Sequence, residues 1–417
     1  MDISELYKYS WFADLAYVEW DDNHLAGGDA ISAAVAAERA PQKLAEKIFY
    51  ATKENYSVLS HHPNDDSGFK ASLYGNGSEK ILSICGTEPE SLYNSEDLLN
   101  ADLADIGGYG VAINQAVSMF NYIMRLTAES SQTDVLQLSW TMHYAMPGES
   151  LPTNQSYVVY GYDEVGGTDY YVLDAGYNGQ GLGVLLSEGD TITLTGHSLG
   201  GHLAAFAQRL FPELFDQTVT FNAPGFDPIS SRGWTDEIVA MFADYLSVSP
   251  ASSFESLSDR LFTIESEDTV PGDDADGVAG SLTGTAATSE RYLTTEKNSH
   301  SMSQMVDALG VQALLEMLNP DFTLTETGSL LQATSFDPGK SEESLVNALS
   351  ALLLENSAAI PISNGEAPND RISPPPFDTR TSLQERLVEL ETAINSKSTT
   401  YLAGKPFIVP NNICLSK

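Results

Sequence analysis

The segment from Thr191 to Leu210 constrains this chain more than any other. Thr191 to Thr195 is short, apolar and rich in β-branched residues, as a buried strand is. Leu203-Ala204-Ala205-Phe206-Ala207 opens a strong helix pattern. Between them stands Gly196-His197-Ser198-Leu199-Gly200-Gly201, and Gln217 to Asn222 then reads as a second strand. Strand, sharp turn, helix, strand is the rhythm of an α/β layer structure with a parallel sheet. The turn fits the G-x-S-x-G pattern in the context that gives it meaning, with a strand before and a helix after. Its glycines leave room for a strained turn that projects Ser198 from the end of the sheet. The helix N-terminus favours the negative charge that develops in acyl transfer.

The rest of the chain extends this core. Apolar spacing predicts helices over 3–19 and 29–48, then short strands at Tyr56 to Ser60, Phe69 to Tyr74 and Lys80 to Cys85. A long apolar helix is expected over 109–126. The region Ala128 to Asp190 reads as an insertion, with a hairpin between Tyr157-Val158-Val159-Tyr160 and Tyr170-Tyr171-Val172-Leu173 around Gly166-Gly167. A strand at Arg260 to Ile264 leads into an acidic loop, and a helix follows over 301–318. Beyond Pro320, helical patterns near 341–354 and 382–394 form an expected C-terminal extension. The expected division is therefore a domain over 1–320 with its insertion at 128–190, and an extension over 321–417.

Charge excludes some partners. Lys and Arg total 20 against 58 Asp and Glu, a formal net charge of −38 at pH 7. Such a surface repels nucleic acid and anionic bilayers. With Cys85 and Cys414 alone, no disulfide framework supports the fold. The start, Met1-Asp2-Ile3-Ser4-Glu5, lacks the basic and apolar regions of a secretory signal peptide, and no run is long and apolar enough to span a membrane. The expectation is a protein secreted or exported without an N-terminal signal peptide, with a cytoplasmic location as the alternative.

A serine hydroxyl needs a base and an acid to orient that base, in the chain order Ser, Asp or Glu, His. Of seven histidines, His24, His61, His62 and His143 precede Ser198, and His197 and His202 sit on the turn itself. His300 alone lies downstream, just before a helix. The acid belongs after the strand ending at Ile264, where Glu265, Glu267 and Asp268 stand. Asp268 is the first choice, with the two glutamates in reserve. An oxyanion needs two backbone N–H donors. Leu199 follows the nucleophile, and Cys85-Gly86-Thr87 ends an earlier strand, which makes Thr87 the second candidate.

These pieces together resemble the class 3 lipase family, the fungal triacylglycerol lipases and their bacterial kin. The apolar strand before Gly86-Thr87, the Thr195 to Gly201 turn, Asn222-Ala223-Pro224-Gly225 and Asp268-Thr269-Val270-Pro271 carry the resemblance, over roughly residues 70 to 320. His300-Ser301-Met302 before an apolar helix also resembles lipase-like modules of large exported bacterial proteins. The resemblance implies an α/β-hydrolase fold with a central mostly parallel sheet and a lid after Thr87 (Glu88 to Asp105), to which this chain adds the inserted region, not typical of that family, and the helical C-terminal extension. It also implies a Ser198, Asp268, His300 triad and an oxyanion hole of Thr87 and Leu199. The family often has Arg before the Gly-Thr pair, where Cys85 stands here.

The implied activity is hydrolysis of lipid carboxylic esters, of triacylglycerol lipase or phospholipase A1 type, at a membrane or aggregate surface. The alternatives are a non-catalytic lipid-binding or adhesion module, a non-lipid esterase and an acyltransferase. No cofactor is required by this chemistry. Gly272-Asp273-Asp274-Ala275-Asp276-Gly277 resembles a calcium loop, but Gly272 stands where the first EF-hand ligand belongs and no Glu follows at the required spacing. Calcium would need a site of another kind.

Overall fold

The computed structural model describes residues 1–25, 29–50, 55–86, 106, 110–152, 157–162, 166–226, 235–246, 249–266, 291–293, 301–334, 341–354, 358–362 and 377–401. The expected lid and the acidic run Gly272 to Gly277 lie outside them. Described first are four helices, α1 (Ile3–Leu15), α2 (Asp22–Leu25), α3 (Ala30–Ala36) and α4 (Gln42–Tyr50). Strands β1 (Ser57–His62), β2 (Ala71–Gly75) and β3 (Lys80–Ile84) follow, then helix α5 (Ile113–Leu126). The insertion holds β4 (Val135–Ala145), β5 (Tyr157–Tyr162) and β6 (Thr168–Gly179). The core resumes with β7 (Ile192–His197), α6 (Leu199–Leu210), β8 (Gln217–Phe221), α7 (Thr235–Ala243), β9 (Leu261–Ser266) and β10 (Arg291–Leu293). Helices α8 (Met302–Leu318), α9 (Leu324–Gln332), α10 (Ser341–Leu353) and α11 (Phe377–Tyr401) complete the described chain.

The central sheet has the order β1-β2-β3-β7-β8-β9-β10. From β3 to β10 every pairing is parallel, while β1 and β2 join antiparallel at one edge. Burial follows from that order. All six residues of β7 are buried, as a strand covered by helices on both faces must be. Edge strand β1 instead begins with alternating exposed and buried residues. Two apolar clusters fill the two faces. One joins Leu82, Ile84, Ile192 and Leu194 to Phe120 of α5 and Phe206 of α6. The other joins Ile81, Val219, Phe221 and Ile264 to Phe12 of α1 and Met305 and Leu309 of α8. The protein is thus an α/β fold with a mostly parallel central sheet.

The insertion makes a separate antiparallel sheet in the order β4-β6-β5, and β5 and β6 form the hairpin expected around Gly166-Gly167. The helix expected over 29–48 is broken. Glu38 takes φ 56 and Pro41 precedes α4, because a proline inside the pattern removes an N–H and crowds the preceding turn. Helices α9, α10 and α11 place Leu331, Val346, Leu387 and Leu390 in one cluster with Val311 and Leu314 of α8. None of the described helices is long and apolar enough to cross a membrane.

Candidate functional site

Ser198 stands between β7 and α6 with φ 54 and ψ −129, a backbone conformation that L-residues rarely hold. The surroundings fix it there. Its N–H donates to the Phe221 carbonyl of β8 at 2.9 Å, and its own carbonyl accepts from the N–H groups of Gly201 at 2.9 Å and His202 at 3.2 Å in the first turn of α6. Leu199 is buried and opens α6, in the turn whose N–H groups have no acceptor within the helix.

Glycine at two positions makes this packing possible. A Cβ at position 200 would stand 2.2 Å from the Ile84 carbonyl oxygen, so α6 begins in direct backbone contact with the end of β3. A Cβ at position 86 would stand 2.4 Å from the His197 carbonyl oxygen and 3.3 Å from Ser198 Cβ. Gly86 is therefore the described residue that brings the β3 terminus against the serine. Gly200→Ala should consequently part α6 from β3. We expect a loss of roughly 1–3 kcal/mol or more, the range for overpacking a tight interior, read as a lowered unfolding midpoint. A midpoint unchanged from wild type would mean that this backbone contact is not tight.

Asn222 links the neighbouring strand ends. Its N–H donates to the Ile264 carbonyl at 2.9 Å, its Oδ1 accepts from the Ser266 N–H at 2.9 Å, and its Nδ2 donates to Met305 Sδ at 3.1 Å. It takes φ 46. The carboxyl ends of β7, β8 and β9 and the first turn of α8 are thereby joined in hydrogen-bonded succession. Ser266 precedes the acidic stretch that holds Asp268, and Ser301 stands at the N-cap position of the helix that His300 precedes. Thr87, Glu267, Asp268 and His300 themselves lie outside the described residues. Glu265 is buried in β9, in register with Tyr292 of β10.

Four other histidines are occupied elsewhere. His61 Nδ1 meets Ser72 Oγ at 2.9 Å and its Nε2 meets Glu19 at 3.1 Å, and burial lowers its pKa. His62 pairs with Asp65 at 3.1 Å, His24 with Asp21 at 2.8 Å, and His143 stacks on Tyr170. His202, one turn into α6, is fully buried. Its Nδ1 donates to the Pro224 carbonyl at 3.2 Å, its ring stacks on Phe226, and burial pushes its pKa down to about 4. It is a neutral packing residue that holds the loop after β8.

Two contributors were not evident in the sequence. Tyr17 sends its hydroxyl to His197 Nδ1 at 2.9 Å, and that hydroxyl lies 2.6 Å from where a Gly86 Cβ would be. Nothing in its local pattern marks it, because it follows α1, far from Ser198 in the chain. Asn222 was visible only as part of a motif, and its bridging role comes from the strand order.

Two cavities outlined by described residues open away from Ser198. One, of about 590 Å³, lies at the amino ends of β3 and β7 beside Lys80 and Asp190. The other, of about 240 Å³, lies between α1, α8 and α11 beside Tyr7 and Leu387. Among the described residues, no group of three His, Cys, Asp or Glu side chains is placed to hold a metal ion. No protein-family model and no curated protein matches the chain.

Proposed function

We propose that this protein is a serine hydrolase of the α/β-hydrolase fold that cleaves carboxylic esters of lipids through an acyl-enzyme. The observation that carries the reading is the backbone of Ser198. A strained residue at a strand-to-helix junction, held by β8 on one side and by the glycine contacts to β3 on the other, is what a nucleophile elbow demands. Strain of this kind costs on the order of 1–3 kcal/mol and persists where the surroundings over-determine it.

In this reading Ser198 attacks the ester carbonyl, His300 takes its proton and later returns one to the leaving alcohol, and Asp268 orients His300. The N–H groups of Leu199 and Thr87 receive the oxyanion. Water then releases the acyl group. Lipid specificity rests on the resemblance of the motifs. A fluorophosphonate probe, which reacts with activated serines, tests the nucleophile directly. We expect a single adduct at Ser198, located by peptide mass spectrometry. Labelling at another serine, or none at all, would overturn the assignment.

A further inference from the structure

The insertion sheet projects past the core at the end where Ser198 lies. Helix α5 follows β3 and runs back antiparallel to it. The Leu126 carbonyl at its C-terminus accepts from Leu186 N–H, shortly before β7 begins. Its N-terminal end therefore stands at the carboxyl edge of the sheet, where a Cβ on Gly110 would lie 2.6 Å from the Phe226 carbonyl oxygen of the loop after β8. Strand β4 climbs along α5 in the opposite chain direction, toward that same edge. Leu138 exchanges hydrogen bonds with Asn121, and Trp140 Nε1 then donates to the Ile113 carbonyl at the helix start. Beyond Trp140, β4 continues to Ala145, roughly 17 Å more of strand.

The face that projects is apolar. Leu136 and Leu138 are buried in the core, Trp140 packs against it, and the period of two puts Met142 and Tyr144 on the same side. Past the core the side chains on that side are largely exposed. Met142 is 60% exposed, Tyr144 48% and Met146, just after the strand, 61%. From Val135 to Gly148 the sequence has no Asp, Glu, Lys or Arg, in a chain of net charge −38. Among the described residues Asp169 stands opposite Tyr144 at the end of this face, Glu149 accepts from the Met146 N–H just beyond it, and Asp174 accepts from Thr141 on the other face of the sheet. A charge-free apolar and aromatic face rimmed by carboxylates complements a surface that is apolar inside and carries cationic ammonium groups outside. It does not complement an anionic one.

We propose that the Met142, Tyr144 and Met146 end of the insertion sheet docks on zwitterionic choline-headgroup lipid and sets the carboxyl edge of the sheet against it. This rests on the reading of Ser198 as a lipid-ester nucleophile, because the docked surface would then present substrate to that edge. Binding can be read without turnover. The Ser198→Ala protein should float with phosphatidylcholine vesicles and not with phosphatidylglycerol vesicles. In the same background Met142→Ser, Tyr144→Ser and Met146→Ser together should cut the bound fraction at least about tenfold. Met142 and Met146 are mostly exposed, so a Met142→Ser, Met146→Ser double variant should keep the unfolding midpoint and still lose binding, and the single Met142→Asp variant should lose it too.

The proposal is overturned if the parent does not float, if the triple variant floats as well as its parent, or if anionic vesicles serve equally. It is also overturned if sedimentation shows a dimer that the triple variant loses, since a second copy would then be the occupant. Failure of the fluorophosphonate test with flotation intact would remove the hydrolase reading and leave the docking face standing.

Discussion

Ser198→Ala should leave a folded protein whose ester hydrolysis falls by about 10³-fold or more, about 4 kcal/mol of lost transition-state stabilisation. The fold should survive because the strain at this position belongs to the backbone and its neighbours. The Ser198 N–H bond to Phe221 and the two bonds received by its carbonyl are main-chain bonds that alanine keeps. The hydroxyl, by contrast, is the group proposed to react. The comparison should use a panel of short soluble esters, long-chain esters and phospholipids with purified wild type and variant. Residual catalysis from oxyanion binding is expected, since members of such a site act as a unit and their losses do not add. Turnover equal to wild type would remove Ser198 from the mechanism. Loss of turnover together with loss of fold would place the hydroxyl in the architecture.

What the sequence made legible was mainly local. Strands β2, β3, β7 and β8 and helix α6 were readable because each combines an apolar run with glycine punctuation, and the G-x-S-x-G turn ties three of them together. The hairpin of β5 and β6 was readable from two Tyr-Val runs about a glycine pair. Helix α9 was passed over although Thr323 and Glu326 form a capping box. That signal was present, but the helix it opens spans only nine residues just beyond Pro320, where only the longer patterns at 341–354 and 382–394 were read as helix. The break after α3 was missed because Ala, Glu and Lys favour helix over the segment as a whole and outweighed one proline. Strand order was not legible at all. It determines that Asn222 bridges Ser266 and Met305 and that Tyr17 reaches His197, contacts between segments distant in sequence that no period or motif encodes. The projecting face of β4 was hidden for a similar reason. Its alternation continues unchanged past Trp140, and only the position of α5 shows where the core ends.

Arg380→Ala should be the most destabilising single change, by about 3–5 kcal/mol, because it breaks a buried ion pair and leaves its partners uncompensated. Arg380 of α11 is 1% exposed at its side chain and meets acceptors from three other segments. Nη2 donates to Asp14 Oδ2 at 2.6 Å on α1, Nε to Asp307 Oδ1 at 3.3 Å on α8, and Nη1 to the Arg39 carbonyl at 2.6 Å. That last carbonyl is released for the purpose by the break after α3. Asp14 also accepts from Arg39 Nη1 at 3.3 Å and from Ser303, and Asp307 from Gln384 Nε2 at 2.6 Å.

Burial pushes Asp307 up to about 6, and Arg380 and Gln384 hold it down against that. A carboxyl raised above its usual value of about 3.9 binds more protons in the folded state, so the wild-type contribution to stability falls as pH rises from about 4 through about 6. Removing the guanidinium raises Asp307 further. The variant should then lose stability over a wider window reaching to higher pH, with a deficit larger at pH 8 than at pH 5, where Asp307 is protonated and Asp14 alone is left uncompensated. Unfolding midpoints of both proteins at the two pH values decide the matter. Arg380→Lys should fall between them, since an ammonium keeps the charge but cannot reach Asp14, Asp307 and the Arg39 carbonyl with one planar fork. An equal deficit at pH 5 and pH 8 would show that Arg380 contributes through Asp14 and the packing of its stem rather than through Asp307, and a deficit under about 1 kcal/mol at both would show that α11 is held by the Leu387 and Leu390 cluster alone.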